Sequence, residues 1–377
     1  MASCPSPNSS MNVFRNQTYQ PEPLSAGSLF TISFLGIVSI IGVAENVLIL
    51  GVIGFRVRRS IISLWILNLA SSDLLATCTL PFFTLYIARG YTWILGSTFC
   101  RIYSSMFFLN MFVSAFLLAA ISLDRCLVVV KPVLAQNYRS MELVGRVCGV
   151  IWVCAVICTI PFHLFREAIP LPSGKVLCYY NYAQFLPSEP FDLKALCRQR
   201  KDGLVIMKFL FAFLIPLLII ILSYVAVNYN LARRGSRRPF RFVRLVVAVV
   251  VTFVLCWSPY HIFILMEMMS PKGSPAQKFA TKFLPIATGI GFLNSVINPI
   301  LYVFSCPDLC RKIRHSLGAV MESVLAEDLG ELTRRRSTAR STVSASEFVM
   351  RKKSSIPALT RLKSEDSEQV ESLSNSH

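Results

Sequence analysis

Apolar positions come in long blocks along this chain. Stretches without a charged residue cover 23–44, 46–55, 60–72, 74–88, 102–123, 147–165, 209–232, 245–266 and 283–307. Only Glu45 separates the first two and only Asp73 the next two, so these pair up and seven runs remain. Each is near the ~20 residues with which an α-helix crosses the hydrocarbon core of a bilayer. The predicted fold class is an all-α membrane protein, a seven-transmembrane helix bundle. We place it at 28–305, after an N-terminus at 1–27 and before an amphipathic juxtamembrane helix at 306–325 and a disordered tail at 326–377.

The run at 102–123 carries the most structured pattern. Its 22 residues at about 1.5 Å each reach about 33 Å. Phe107, Met111, Ser114, Leu118, Ile121 and Arg125 recur at alternating spacings of four and three, one face of a helix aimed into a bundle. A cysteine, Cys100, precedes the run and an Asp124-Arg125 pair closes it. A bare anchor needs none of these, so this helix is expected to be the axle of the bundle. Elsewhere, Glu45 at mid-span needs protonation or a partner on a neighbouring helix. Trp93, in a short loop, suits the membrane interface. Val176 to Tyr180 is rich in strand formers and reads as one limb of a hairpin in the long loop from Arg166 to about Asp202.

Composition narrows the class. The net charge of +18 raises the question of nucleic acid, but the bases lie between apolar runs and in the tail, which points to membrane lipids instead. The loops 56–59, 124–146 and 233–244 hold 13 Lys/Arg, and the opposite loops hold 12. The raw count therefore barely orients the bundle. Density does more: six arginines and no acid fall within 233–244. The sequons at Asn8 and Asn16 make sense as glycosylation sites on an extracellular N-terminus. The orientation expected is N-terminus outside and tail inside, in the plasma membrane. The excess of base on the outer loops then suggests an anionic ligand. Cys4, Cys100, Cys178 and Cys197 lie on the outer side, where disulfides persist. Four cysteines allow three connectivities, of which Cys100–Cys178 and Cys4–Cys197 are expected.

Taken in order, Asn46, Asp73, Cys100, Asp124-Arg125, Trp152, Cys178, Pro216, Trp257-Ser258-Pro259 and Asn298-Pro299-Ile300-Leu301-Tyr302 resemble the signature of the rhodopsin-like G-protein-coupled receptors. The likeness covers roughly residues 28 to 325. Within that family, LPFFTLYIARGYTWILGSTFC, KFLFAFLIP and CWSPYH resemble the chemoattractant-type prostaglandin receptors, relatives of the formyl-peptide and complement anaphylatoxin receptors. The resemblance implies an ionic latch, Asp124 with Arg125, that opens to admit an inhibitory G protein while Tyr224 and Tyr302 swing toward the opened space. The residue after the latch is Cys126 instead of the common tyrosine. Asp73, Ser114, Asn294, Ser295 and Asn298 resemble the family's sodium pocket, and no other cofactor is expected.

Amine receptors carry an aspartate where this chain has Phe107, and opsins a Schiff-base lysine where it has Phe292. Instead, Arg166, Tyr180, Lys208 and Tyr260 would converge on one carboxylate, as the resemblance implies. Phe83, Phe107, Phe108, Met111, Trp257 and Phe292 would wall the acyl part. From position alone, Lys208 fits equally well a lysine that snorkels to the interface. The expected ligand is an anionic lipid mediator such as prostaglandin D2, in a receptor serving chemotaxis. A chemoattractant peptide with an acidic C-terminus fits the same basic mouth. A seven-span transporter would show repeats and broken Gly-rich helices, and an enzyme a catalytic pairing; the chain has neither. The Ser/Thr-rich tail is expected to recruit arrestin once phosphorylated. Alanine replacement across Ser337–Ser346 should therefore cut arrestin recruitment in a proximity assay while leaving G-protein signalling in place.

Overall fold

The computed structural model describes residues 26–55, 59–171, 173–185, 192–234 and 241–305. Cys4, Asn8, Asn16, the juxtamembrane helix and the tail lie outside these. Seven helices are long and apolar enough to cross a membrane. They are span one (Ala26–Phe55), span two (Ile61–Ala88), span three (Gly96–Val130), span four (Met141–Leu164), span five (Leu193–Arg233), span six (Arg241–Met269) and span seven (Pro275–Ser305). Between spans four and five, β1 (Arg166–Pro170) pairs antiparallel with β2 (Val176–Tyr180). The strand predicted at 176–180 is thus present, and its partner is the segment beginning at Arg166.

Span three is the axle. Its most apolar window is 67% buried against 28% for span four, and Phe107, Met111, Ser114 and Leu118 of the expected stripe are all buried. Cys100 at its start is bonded to Cys178 of β2, tying the hairpin down over the bundle. Cys197 is also disulfide-bonded; its expected partner Cys4 lies outside the described residues.

Two boundaries differ from the sequence reading. The loop after β2 ends at Asp192, ten residues earlier than expected, because Asp192 caps a helix by accepting from the backbone N–H of Lys194 and Ala195 at 2.9 and 3.3 Å. Charged turns at Lys194 to Asp202 extend span five beyond the apolar run, and counting uncharged residues sees only the part inside hydrocarbon. A short helix, Pro132–Tyr138, follows span three; its proline sits at the first helical position, where a missing N–H costs nothing. In span five a π-helical turn at Leu210–Leu214 precedes Pro216, whose ring removes a donor from the helical ladder.

Polar side chains staple the spans. Asn46 donates to the carbonyls of Gly42 and Ser295 at 2.9 and 3.0 Å, joining spans one and seven. Trp152 Nε1 donates to Asn68 Oδ1 at 3.0 Å, joining spans four and two. Glu45 Oε2 is buried without a hydrogen-bond partner among the described residues. Span one approaches its neighbours closely at Gly42, where an added Cβ would meet Thr77 Cγ2 at 2.5 Å and Val296 Cγ2 at 3.0 Å. Gly42→Ala should therefore lower the melting temperature in detergent, with overpacking costing about 1–3 kcal/mol. Gly36→Ala, with nothing within 4 Å of its added carbon, should leave melting unchanged.

Candidate functional site

A cavity of about 150 Å³ opens beneath the hairpin, at the end of the bundle that carries Cys100. Its wall is largely aromatic, with Phe83, Tyr103, Phe107 and Phe108 on one side and Tyr180 and Tyr260 on another. Three cations line it, Arg166, Lys201 and Lys208, and of these Lys201 lies near an acid, Glu267. Lys208 is only 3% exposed, so it does not snorkel to the interface. Its Nζ donates to Tyr260 Oη at 3.1 Å and stands over the rings of Phe108, Phe162, Tyr180 and Tyr260 at 5.0, 5.3, 5.6 and 5.3 Å. Ammonium groups are attracted to such ring faces, by about 0.5–2 kcal/mol each. Arg166, the first residue of β1, lays its guanidinium 4.5 Å from the centre of the Tyr180 ring.

These four polar residues are not mutually satisfied. Arg166 Nε and Tyr180 Oη are buried without hydrogen-bond partners among the described residues. Tyr260 accepts from Lys208, which leaves its own proton to donate. Burial pushes the Tyr180 phenol well above its ordinary range, with Arg166 pulling it back and Glu267 adding to the rise. It therefore remains a protonated donor. Among the described residues no carboxylate lies within salt-bridge reach of Lys208 or Arg166. The arrangement offers an anion several charged or hydroxyl donors in an apolar setting.

Seven of the ten residues expected around a ligand line this cavity: Arg166, Tyr180, Lys208, Tyr260, Phe83, Phe107 and Phe108. Met111, Trp257 and Phe292 do not. They lie one layer deeper, 0–1% exposed, where Phe107 touches Trp257 and Phe292 at ring distances of 5.6 and 5.1 Å. They form the floor. Trp93 is the opposite case. It is 3% exposed, not seated at the interface, because its backbone N–H donates to Val176 of the hairpin at 2.7 Å and its Nε1 to Gly96 at 2.8 Å. The sequence reading also missed an acidic rim. Glu267 accepts from Tyr179 Oη at 3.3 Å and lies 3.9 Å from Lys201 Nζ, and all three line the cavity. With a loop drawn as far as Asp202, nothing placed Lys201 opposite span six.

Below the floor lies a polar core. Asp73 is fully buried, and Asn110 and Asn298 donate to its two oxygens at 3.0 and 3.1 Å. Ser295 Oγ donates to Asn110 Oδ1 at 3.4 Å, and Asn110 reaches Ser114 Oγ at 3.4 Å. The expected cluster of Asp73, Ser114, Ser295 and Asn298 is thus assembled, with Asn110 as its unforeseen hub. Asn294 is also buried, and neither of its amide atoms has a hydrogen-bond partner among the described residues, nor does Asn298 Oδ1.

At the far end, Arg125 Nη2 lies 3.3 Å from Asp124 Oδ2, so the expected pair is closed. Arg139 binds the same carboxylate at 2.6 and 3.0 Å. Tyr224, in the lower half of span five, is 40% exposed, and the side chain of Tyr302 falls outside the described residues.

Fold, central disulfide and the ordered motifs together define a rhodopsin-type receptor. The family described as "7 transmembrane receptor (rhodopsin family)" matches residues 45–302, and the chain belongs to it. It is a G-protein-coupled receptor, a multi-pass protein of the plasma membrane and not an enzyme. More particularly, it is 51% identical to prostaglandin D2 receptor 2 of Mus musculus over 310 residues, 81% of each chain. It is 50% identical to the Rattus norvegicus receptor of that name, over 78% of this chain and 72% of the other. Chemerin-like receptor 1 of Rattus norvegicus is 34% identical over 82% of this chain and 84% of its own.

Asn110 gives the polar core a direct test. Asn110→Ala removes one of the two amide donors to a buried carboxylate, which should cost about 1–3 kcal/mol. A lowered melting temperature of the purified receptor is the expected readout. Restoration in an Asn110→Ala, Asp73→Asn double variant would trace the loss to the carboxylate.

Proposed function

We propose that this receptor binds an anionic lipid mediator, prostaglandin D2, through its carboxylate, and signals through an inhibitory G protein in chemotaxis. One observation carries the reading: Lys208, Arg166, Tyr180 and Tyr260 line one aromatic cavity, with no carboxylate among the described residues in salt-bridge reach of Lys208 or Arg166. The relatives' name supports the choice of prostaglandin. Charge-assisted hydrogen bonds contribute about 1.5–3 kcal/mol each, so two cations and two phenols can offset the desolvation of a fatty-acid carboxylate. Phe83, Phe107 and Phe108 would then hold the hydrocarbon, with the cavity facing outward and the Arg125 end toward the cytosol.

Phe107 belongs to both the cavity wall and the floor around Trp257, so pressure from the acyl part reaches span six beside the helix-bending Pro259. Agonist contacts there would favour the arrangement in which Arg125 leaves Asp124 and a G protein enters. The polar core is also suited to a sodium ion. Asn298, whose amide nitrogen donates to Asp73, leaves its Oδ1 buried and without a partner among the described residues, as does Asn294; amide and carboxylate oxygens are the donors that hard cations prefer. A bound ion would neutralise Asp73 and hold the closed arrangement.

Suppression of cellular cyclic AMP by prostaglandin D2 is the expected activity. Arg166→Ala with Lys208→Ala should raise the half-maximal concentration by about a hundredfold or more, since two charge-assisted bonds are lost. Normal potency in that double variant would remove the carboxylate clamp. A receptor response that depends mainly on the acidic residues of a peptide and survives excess lipid would favour the peptide reading.

A further inference from the structure

Two guanidinium groups share the carboxylate of Asp124. Arg125 Nη2 lies 3.3 Å from Oδ2. Arg139 takes both oxygens, Nε donating to Oδ1 at 2.6 Å and Nη2 to Oδ2 at 3.0 Å. Arg139 is also pinned along its backbone. Its N–H closes the helix Pro132–Tyr138 on the carbonyl of Ala135 at 3.0 Å, and the next residue, Ser140, caps span four by accepting from Leu143 N–H at 3.1 Å. The side chain is therefore a strut from the short helix to the end of span three. That helix turns Val133 and Tyr138 outward, 71% and 67% exposed.

A planar fork on a carboxylate is the stronger of the two contacts. An oxygen already bonded to Arg139 has less to offer Arg125, and the charge of one cation weakens the field felt by the other. We propose that Arg139 is a positioning residue of the switch, holding Asp124 partly away from Arg125 and so setting how readily Arg125 is released. The inference rests on the latch role of Asp124 and Arg125 proposed above. Its sign follows from the geometry. Without the fork, Asp124 turns both oxygens to Arg125 and the latch tightens.

The test uses the full chain reconstituted with an inhibitory G protein, with nucleotide exchange measured without ligand and across prostaglandin D2 concentrations. Arg139→Ala should lower agonist-free exchange and move the agonist response about tenfold to higher concentration. Binding of labelled prostaglandin D2 in the absence of G protein should stay within about twofold, where a merely structural role would lower it too. Arg139→Lys, keeping charge but not the fork, should fall between wild type and Arg139→Ala. In an Asp124→Asn background, Arg139→Ala should add nothing. Raised or unchanged agonist-free exchange in Arg139→Ala overturns the proposal, as does an undiminished effect in the Asp124→Asn background. Should Arg139→Ala fail to fold, wild-type exchange in Arg139→Lys overturns it equally. If Arg125→Ala itself leaves agonist-driven exchange intact, the latch reading fails instead.

Discussion

Two positive charges held in one aromatic cavity set the terms for the end of the bundle that carries Cys100. Removing an ammonium from water costs several kcal/mol unless something replaces its hydration. Around Lys208 the replacement is four ring faces and one phenolic oxygen. None of these carries a full negative charge, so the site keeps a standing preference for an anion. The hairpin maintains that condition. Bonded through Cys178 to span three, it lays Tyr180 beside Lys208 and starts β1 at Arg166. The nearest acid in the cavity wall, Glu267, is drawn toward Tyr179 and Lys201 instead.

From that cavity a column of contacts descends along span three. Phe107 touches Trp257 and Phe292; Asn110, one turn on, bonds Asp73; Asp124 closes the column with its two arginines. One helix thus contributes to the aromatic wall, the polar hub and the ion pair. Such adjacency is spatial, and it transmits signal only where each layer has two arrangements that both ends bias.

The axle, its inward stripe and the hairpin limb were legible in the sequence because each follows from local periodicity or residue type; the Cys100–Cys178 bond was one of three connectivities until the hairpin brought the two cysteines together. Also legible were seven of the cavity residues, since the motifs place Lys208, Tyr260 and the phenylalanines at known turns of their spans. What escaped were partnerships across spans. Asn110 reads as one more polar residue on span three until Asp73 and Ser295 arrive from elsewhere. Arg139 looks like a loop cation until its short helix carries it to Asp124. The burial of Trp93 beneath the hairpin and the depth of Met111, Trp257 and Phe292 were not legible for a related reason. Hydropathy gives depth along a span but not whether a loop folds back over it, nor which aromatic layer a cavity reaches.

That layering separates affinity from efficacy. A ligand shifts an equilibrium only by the difference in its affinity for the two states. Lys208, Arg166, Tyr180 and Tyr260 grip a carboxylate above the aromatic floor. To the extent that this grip is equal in both states, it strengthens binding and moves nothing. Atoms that press on Phe107 supply a differential term, because its ring meets both Trp257 and Phe292 beneath the cavity. An acid that fills the clamp but stops short of Phe107 should therefore occupy the receptor silently. Activation belongs to those whose hydrocarbon continues down to the floor.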